Sequence, residues 1–382
     1  METIPLFKVY MSDTAPAAAA ETLKSGYIGQ GPKVEEFESL LKKRLQKDYA
    51  LTVNAATSAE HMALHLLKAP DKDSHWPGLQ EGDEVLTTAL TCTATNWPIP
   101  ANNLKIKWVD VDPKTLNLDL NDLRRKITSK TKVIMVVHWG GYPNDLDELK
   151  KIQRETKGLY GFEPMIIEDC AHAFGSTYKK EPIGSHGNIC TFSFQAIKHL
   201  TTVDGGLLVC PNQKLYDRGK LIRWYGIDRN SNRKDFRCEA DIKEWGFKFH
   251  MNDVCATIGI ENLKKVDEVI RKHKENAAFY DQTLANQDGI SLLSREPGFD
   301  SSFWIYSMLV DRKSDFMKYM AEKNVMVSQV HARNDTHTCV SEFKTFLPTL
   351  DKVEQKLISI PVGWWVAEEQ REYIIDCIKK GW

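Results

Sequence analysis

The stretch TVNAATSAEHMALHLL sets Thr57 and Ser58 between a β-rich run and a helical one. Two hydroxyls and the free backbone N–H groups of a helix start would meet there at one point. That is a phosphate cradle without a P-loop, although a plain helix N-cap uses the same residue types. The apolar run PMII ends in Glu168 and Asp169, with His172 three residues on. A carboxylate at the end of a buried strand is costly without a partner; a protonated ring nitrogen would serve, and so would a simple turn cap. The run ICTF leads into SFQAIKHLTTVDGG, which sets Lys198 in a turn between strands rather than on a solvated helix face. A lysine held in a cleft can lose its proton and attack a carbonyl carbon, whereas most lysines, taken singly, are surface charges.

The combination says more than any one piece. A phosphate cradle, a strand-end Asp and a later turn Lys, in that order, are the three grips that pyridoxal 5′-phosphate (PLP) needs: phosphate, ring nitrogen and aldehyde carbon. They can act together only if the intervening chain brings them to one edge of a sheet, since ligands of open parallel sheets collect at the strands' carboxyl ends.

The chain supplies such a frame. Short β-rich runs occur at YALTVN, DEVLTTA, KIKWVDVD, KVIMVVHWG, PMIIEDCA, ICTFSF and GGLLVC. Helical patterns at 15–25, 34–45, 58–67, 118–126 and 146–157 flank or separate them. Strand, helix, strand in repetition predicts an α/β domain with a mostly parallel central sheet covered by helices on both faces. ICTFSF and GGLLVC lie close enough to pair as a hairpin. From residue 251 the pattern changes to a long helical stretch at 252–276, one β-rich run SSFWIYSMLV, and helices at 313–323 and 368–380. The expected organisation is therefore a large domain over residues 1–250, with an N-terminal arm over 1–30, and a smaller α+β domain over 251–382. PDKDSHWPGLQEGDE reads as a surface loop.

Composition excludes several function classes. A net charge of −1 leaves no broad basic field for nucleic acid or an anionic membrane. No apolar run reaches membrane-spanning length, and the N-terminal METIPLFKVYMSDT lacks the pattern of a signal peptide, so a cytoplasmic protein is expected. The eight cysteines (Cys92, Cys170, Cys190, Cys210, Cys238, Cys255, Cys339 and Cys377) form no C-x-x-C pair and no zinc spacing, and read as free thiols. A nicotinamide-binding reading would need G-x-G-x-x-G after the first strand, and TVNAATSAEH lacks it.

With these residues in view, the sequence resembles the fold-type-I PLP sugar aminotransferases of the DegT/DnrJ family. The resemblance runs from SGYIGQGPKVEEFE to the C-terminal helix, through NAATSAEHMALHLL, KIKWVDVDPKTLNLD, IEDCAHAFGS, TFSFQAIKHLTTVDGGLL and FKFHMNDVCATIG. The last three are most like segments of perosamine-type sugar 4-aminotransferases. The resemblance implies that Lys198 binds the cofactor aldehyde as an imine and that Asp169 keeps the pyridine nitrogen protonated. It puts His172 near the cofactor 3-hydroxyl and makes Thr57, Ser58 and Ser193 phosphate contacts. It implies a homodimer with active sites at the interface, in which either Lys248 or His250 reaches the neighbouring subunit's phosphate. Where many relatives stack an aromatic residue on the ring, Cys92 stands here.

The same resemblance implies a function. Glutamate would give its amino group to a nucleotide-linked 4-keto-6-deoxy sugar, making a 4-amino-4,6-dideoxy sugar nucleotide for a glycan such as an O-antigen. Lys198 would carry the proton as general acid and base. A 3-aminating enzyme and a non-catalytic PLP-binding regulator are the alternatives; no DNA-binding extension is present to favour the second. Arg229 in WYGIDRNSNR and Arg333 in QVHARNDTH, with His331 and Asn334 beside it, are the candidates for the substrate's diphosphate and sugar. Trp224 and Tyr225 could stack on its base.

Overall fold

The computed structural model describes residues 2–229 and 241–382. The seven β-rich runs become the strands β1 (Ala50–Val53), β2 (Glu84–Thr88), β3 (Lys105–Val109), β4 (Thr131–Val137), β5 (Met165–Asp169), β6 (Ile189–Ser193) and β7 (Gly206–Val209). They form one sheet in the order β1-β7-β6-β5-β4-β2-β3. From β6 to β3 every adjacent pair is parallel, and β7 runs antiparallel to both its neighbours. The hairpin read from the sequence is β6–β7, with Ser193 opposite Gly206.

The sheet is apolar on both faces because helices cover both. The helices that bear on the site's frame are α1 (Ala15–Ser25), α2 (Pro32–Leu45) and α3 (Ala56–Leu66). On one face Val53, Met135, Ile167 and Leu208 pack with Ala59, Met62 and Ala63 of α3. On the other, Ala50, Ile134, Ile166 and Phe192 pack with Val34, Phe37 and Leu41 of α2. Side chains alternate along a strand, so this assignment fixes the acidic pair: Asp169 shares the α3 face with Ile167, and Glu168 turns to the other.

A third core lies toward the C-terminus. The sheet of Ile290–Leu292, Tyr306–Val310 and Leu357–Ile360 packs with helices Val266–Leu284, Lys313–Glu322 and Glu368–Lys379. Ile4 of the N-terminal arm joins this core and bridges to Val325.

Two elements differ from the sequence pattern. The helical stretch at 252–276 is two helices, Asp253–Leu263 and Val266–Leu284, broken at Lys264–Lys265. The first is anchored through Asp253, whose carboxylate accepts the backbone N–H groups of Gly31, Lys33 and Val34 at the start of α2. Its Ala256 and Ile260 belong to the α2-face core; the second helix starts in that same core with Val266 and Ile270 and runs on into the third core with Ala277 and Tyr280. Of SSFWIYSMLV only Tyr306–Val310 is strand. The first half leaves the sheet to bond elsewhere: Ser302 Oγ donates to the His172 carbonyl at 3.1 Å and Trp304 Nε1 to the Ile197 carbonyl at 2.9 Å. Cys238 and the end of the WYGIDRNSNR segment lie outside the described residues.

Candidate active site

The carboxyl ends of β1, β5 and β6 point the same way, and each delivers one of the expected grips. β1 ends at Val53, and α3 begins at Ala56 with Ala55 as N-cap, which has no side-chain acceptor. The first N–H groups of α3 are therefore uncapped beside the exposed Thr57 and half-buried Ser58. Gly206 of β7 lies against this turn so closely that a Cβ there would come within 2.5 Å of the backbone of Ala55 and Ala56. Ser193 faces Gly206 in the ladder, so its hydroxyl shares the corner with the helix start. An anion-sized phosphate is what this corner can hold.

Asp169 closes β5 on the same face. Its Oδ2 accepts a hydrogen bond from Thr95 Oγ1 at 2.7 Å and its Oδ1 one from the Ala171 N–H at 2.9 Å. Its neighbour Glu168 is satisfied on the far side of the sheet by His138 Nε2 at 2.9 Å and Asn188 Nδ2 at 2.7 Å. The two carboxylates read as one pair in sequence are thus separated by the sheet, and only Asp169 faces the site.

Lys198 lies on the turn between β6 and β7, half-buried, with its amine close to Cys92 and Glu60 and near enough to Asp169 to feel its charge. Burial outweighs that attraction and brings its pKa down to about 8. Its Nζ sits 3.4 Å from the centre of the Trp304 ring. Trp304 in turn stacks on His172 with centroids 3.9 Å apart, and His172 lies parallel to His331 at 5.6 Å. Burial and the nearby Lys198 charge hold His331 down to about 4 and push His172 down as well, so both rings are neutral at pH 7.

Of the residues expected from sequence, Thr57, Ser58 and Ser193 meet at one corner, Asp169, Cys92 and Lys198 at another, and His172 and His331 beside Lys198. Asn334 is fully buried and donates to the Cys92 carbonyl at 3.3 Å, so it holds the Cys92 turn. Arg333 is buried with its guanidinium paired to Asp335, Asp351 and Glu354, a structural arrangement that leaves its charge answered within the protein. His250 and Lys248 lie at the outer edge beyond β1, where His250 bridges to Val53 and Lys248 to Trp224. The His250 ring lies 3.7 Å from that of Trp224, and its pKa is brought down to about 4 by burial and then by Lys248, Arg229 and Arg223. Arg229 caps the other side of this group, 4.5 Å over the Trp224 ring and bonded to the Gln30 carbonyl.

Three residues in the site were not singled out from the sequence. Thr95 and Trp304 lie inside segments read for other reasons. Glu60 carried a usable signal: it is an acidic residue on the apolar face of a helix, between Ala59 and Met62, and it is buried.

PLP fits these residues. Buried polar atoms around the site have no partner in the protein, among them His331 Nε2. Such atoms are rare in a finished interior and common where a ligand completes the site. The lysine amine, the strand-end carboxylate and the uncapped helix start match the cofactor's aldehyde, ring nitrogen and phosphate.

The comparisons agree. Over its whole length (100 % of this chain and 99 % of the other) the chain is 29 % identical to GDP-perosamine synthase of Escherichia coli O157:H7. It is 32 % identical to the UDP-4-amino-4-deoxy-L-arabinose–oxoglutarate aminotransferase of Shewanella sediminis, over 77 % of this chain and 72 % of that one. The crystal structure of sugar aminotransferase CalS13 from Micromonospora echinospora superposes with a TM-score of 0.94 at 44 % identity, covering 99 % of this chain and 100 % of that one. Residues 10–379 match the model of the DegT/DnrJ/EryC1/StrS aminotransferase family, and the chain belongs to that family as a PLP-dependent sugar aminotransferase of the fold-type-I architecture.

Proposed function

We propose that the enzyme moves an amino group from glutamate to C4 of a nucleotide-linked 4-keto-6-deoxy sugar. The observation that carries this reading is Lys198: a nucleophilic amine with its pKa lowered to about 8, set beside Asp169 and opening toward a neutral His172–His331 wall. The choice of C4 and of an oxoglutarate-type partner is supported by the relatives whose names specify a perosamine product and a 4-amino-4-deoxy sugar paired with oxoglutarate.

The residues divide the work. The hydroxyls of Thr57, Ser58 and Ser193, with the first N–H groups of α3, hold the cofactor phosphate. Asp169 keeps the ring nitrogen protonated. With that nitrogen protonated, PLP acts as an electron sink for the carbon that loses its proton. Lys198 Nζ, free of its own proton, takes the proton from the donor's α-carbon, and later returns one to the sugar carbon that receives the amine. His172 and His331, uncharged, line the site without competing for that proton. Arg229 meets the nucleotide phosphates, and Trp224 beside it offers a stacking face. Either Lys248 or His250, at the outer edge, reaches the phosphate of the second subunit of a homodimer. The reaction takes place in the cytoplasm, and its product enters glycan assembly.

The test is a screen of purified protein with glutamate and GDP-, UDP- and dTDP-linked 4-keto-6-deoxy hexoses, with the product placed by NMR. An amine at C4 and release of 2-oxoglutarate are expected. An amine at C3, or no turnover with any of the three nucleotides, would overturn the reading.

A further inference from the structure

Glu60 is 1 % exposed, projects from the second turn of α3 onto the sheet, and is not used by the mechanism above. Its carboxyl lies against the carboxyl of Asp169, with Thr191 next to both: Asp169 and Thr191 are paired residues of β5 and β6. The Thr191 hydroxyl is near enough to favour a charge on Glu60, yet both Thr191 Oγ1 and Glu60 Oε2 lack a hydrogen bond of ordinary geometry. Lys198 and Cys92 are the other titratable groups that face Glu60.

Two adjacent carboxylates in a dry site cannot both be ionised at neutral pH without matching cations. Lys198 brings a positive charge that it must give up during turnover, and the protonated ring nitrogen brings one that Asp169 answers, which leaves none for Glu60. One of the two carboxyls therefore keeps a proton. The surroundings decide which. Asp169 accepts two hydrogen bonds, from Thr95 and from the Ala171 N–H, one on each oxygen, which suits it to be the acceptor of the pair. Glu60 has an unpartnered oxygen and no cation of its own. Burial, and then Asp169, push its pKa well above the usual carboxylate range.

We propose that Glu60 is a positioning residue, a neutral carboxylic acid that donates its proton to Asp169 and so presents the cofactor ring nitrogen with a linked carboxyl–carboxylate pair instead of a lone carboxylate. The shared proton fixes the rotamer of Asp169 from below while Thr95 fixes it from the side. It also spreads the Asp169 charge, so that the ring nitrogen stays protonated without Asp169 drawing the Lys198 ammonium into a permanent ion pair. This inference rests on the reading that Asp169 meets the ring nitrogen.

Infrared difference spectroscopy on the PLP-loaded enzyme tests it directly. Subtracting the spectrum of Glu60→Gln from that of the parent at neutral pH should leave the carbonyl stretch of a protonated carboxylic acid, shifted by exchange into heavy water. Absence of that band would overturn the proposal. Equilibrium binding of PLP gives the second arm. Glu60→Gln keeps a donor toward Asp169 and should bind PLP within about twofold of the parent, whereas Glu60→Leu should bind about tenfold more weakly, a loss of about 1.4 kcal/mol. Equal PLP affinity in the parent and Glu60→Leu, with native circular dichroism, would also overturn it. Asp169→Asn separates the two readings: if that variant binds PLP as the parent does, the ring-nitrogen assignment falls, and the linked-pair proposal falls with it even where the infrared band is present.

Discussion

The amine of Lys198 rests over the face of Trp304, 3.4 Å from the ring centre, and the indole N–H of Trp304 donates back to the carbonyl of Ile197, the residue before Lys198. One side chain therefore fixes both the backbone and the charged tip of the turn that carries the proposed nucleophile. A cation over an indole gains roughly 0.5–2 kcal/mol depending on how far it is desolvated.

Trp304→Phe should separate these two roles. The ring face survives, but the half-buried Ile197 carbonyl loses its partner, a cost of about 0.5–1.5 kcal/mol. Urea unfolding should show that loss while PLP still adds covalently to Lys198. A variant as stable as the parent would mean that the indole bond does not anchor the turn.

Lys198 itself has a measurable signature. Its amine is held to about 8 by burial. Below pH 8 it is mostly ammonium and cannot attack; above it, mostly free amine. The rate at which PLP adds to cofactor-stripped enzyme should rise with pH, with a midpoint near 8 rather than near the usual lysine value of about 10.4. Lys198→Arg keeps the charge and loses the nucleophile, so borohydride should fix no PLP to it. A midpoint near 10, or PLP fixed to Lys198→Arg, would contradict the assignment.

Much of the frame of the candidate site was legible in the sequence because its three proposed grips sit at the ends of strands, and strand runs are short, apolar and bounded by turn residues. All seven strands of the large sheet, and the hairpin carrying Lys198, follow from that pattern. What pattern could not show was which way a side chain turns. Glu168 and Asp169 are adjacent letters, but the pleat sends one to His138 and the other to Thr95 on the α3 face. Arg333 stands in a HARND cluster that suggested substrate phosphate, and its partners Asp351 and Glu354 come from 18 and 21 residues downstream, through a fold no local window contains. Trp304 was hidden in a run of strand-like residues because the strand begins only at Tyr306.

The Arg333 arrangement makes its own prediction. Arg333 and Asp335 are 7 % and 3 % exposed, and the guanidinium bonds both carboxylate oxygens of Asp335 at 2.7 Å. Arg333→Met would leave a buried carboxylate unpaired, which typically costs about 3–5 kcal/mol. The expected result is a large fall in the urea midpoint, with KM for the sugar nucleotide unchanged in the molecules that remain folded. A variant of normal stability with a raised KM would instead place the guanidinium on the substrate.

Acid should unfold the protein partly through its buried histidines. His273 is 3 % exposed, bonds the Phe303 carbonyl through Nδ1 at 2.8 Å, and is held to about 4 by burial. The sign follows from comparing the two states. In the unfolded chain this ring takes its proton near pH 6.5; in the folded protein, near 4. Between those values the unfolded chain binds more protons, so stability falls as pH drops from 6.5 toward 4. His331, also held to about 4, adds to the same slope. Glu60, raised by burial and by Asp169, acts in the opposite sense, costing stability as pH rises above the ordinary carboxylate range. Replacing His273 by Gln keeps an N–H donor for Phe303 and removes the titration. Unfolding midpoints in urea at pH 7 and pH 4.5 should therefore lie closer together in His273→Gln than in the parent. Equal differences in the two proteins would mean that the His273 ring is already protonated, or already exposed, in the folded state.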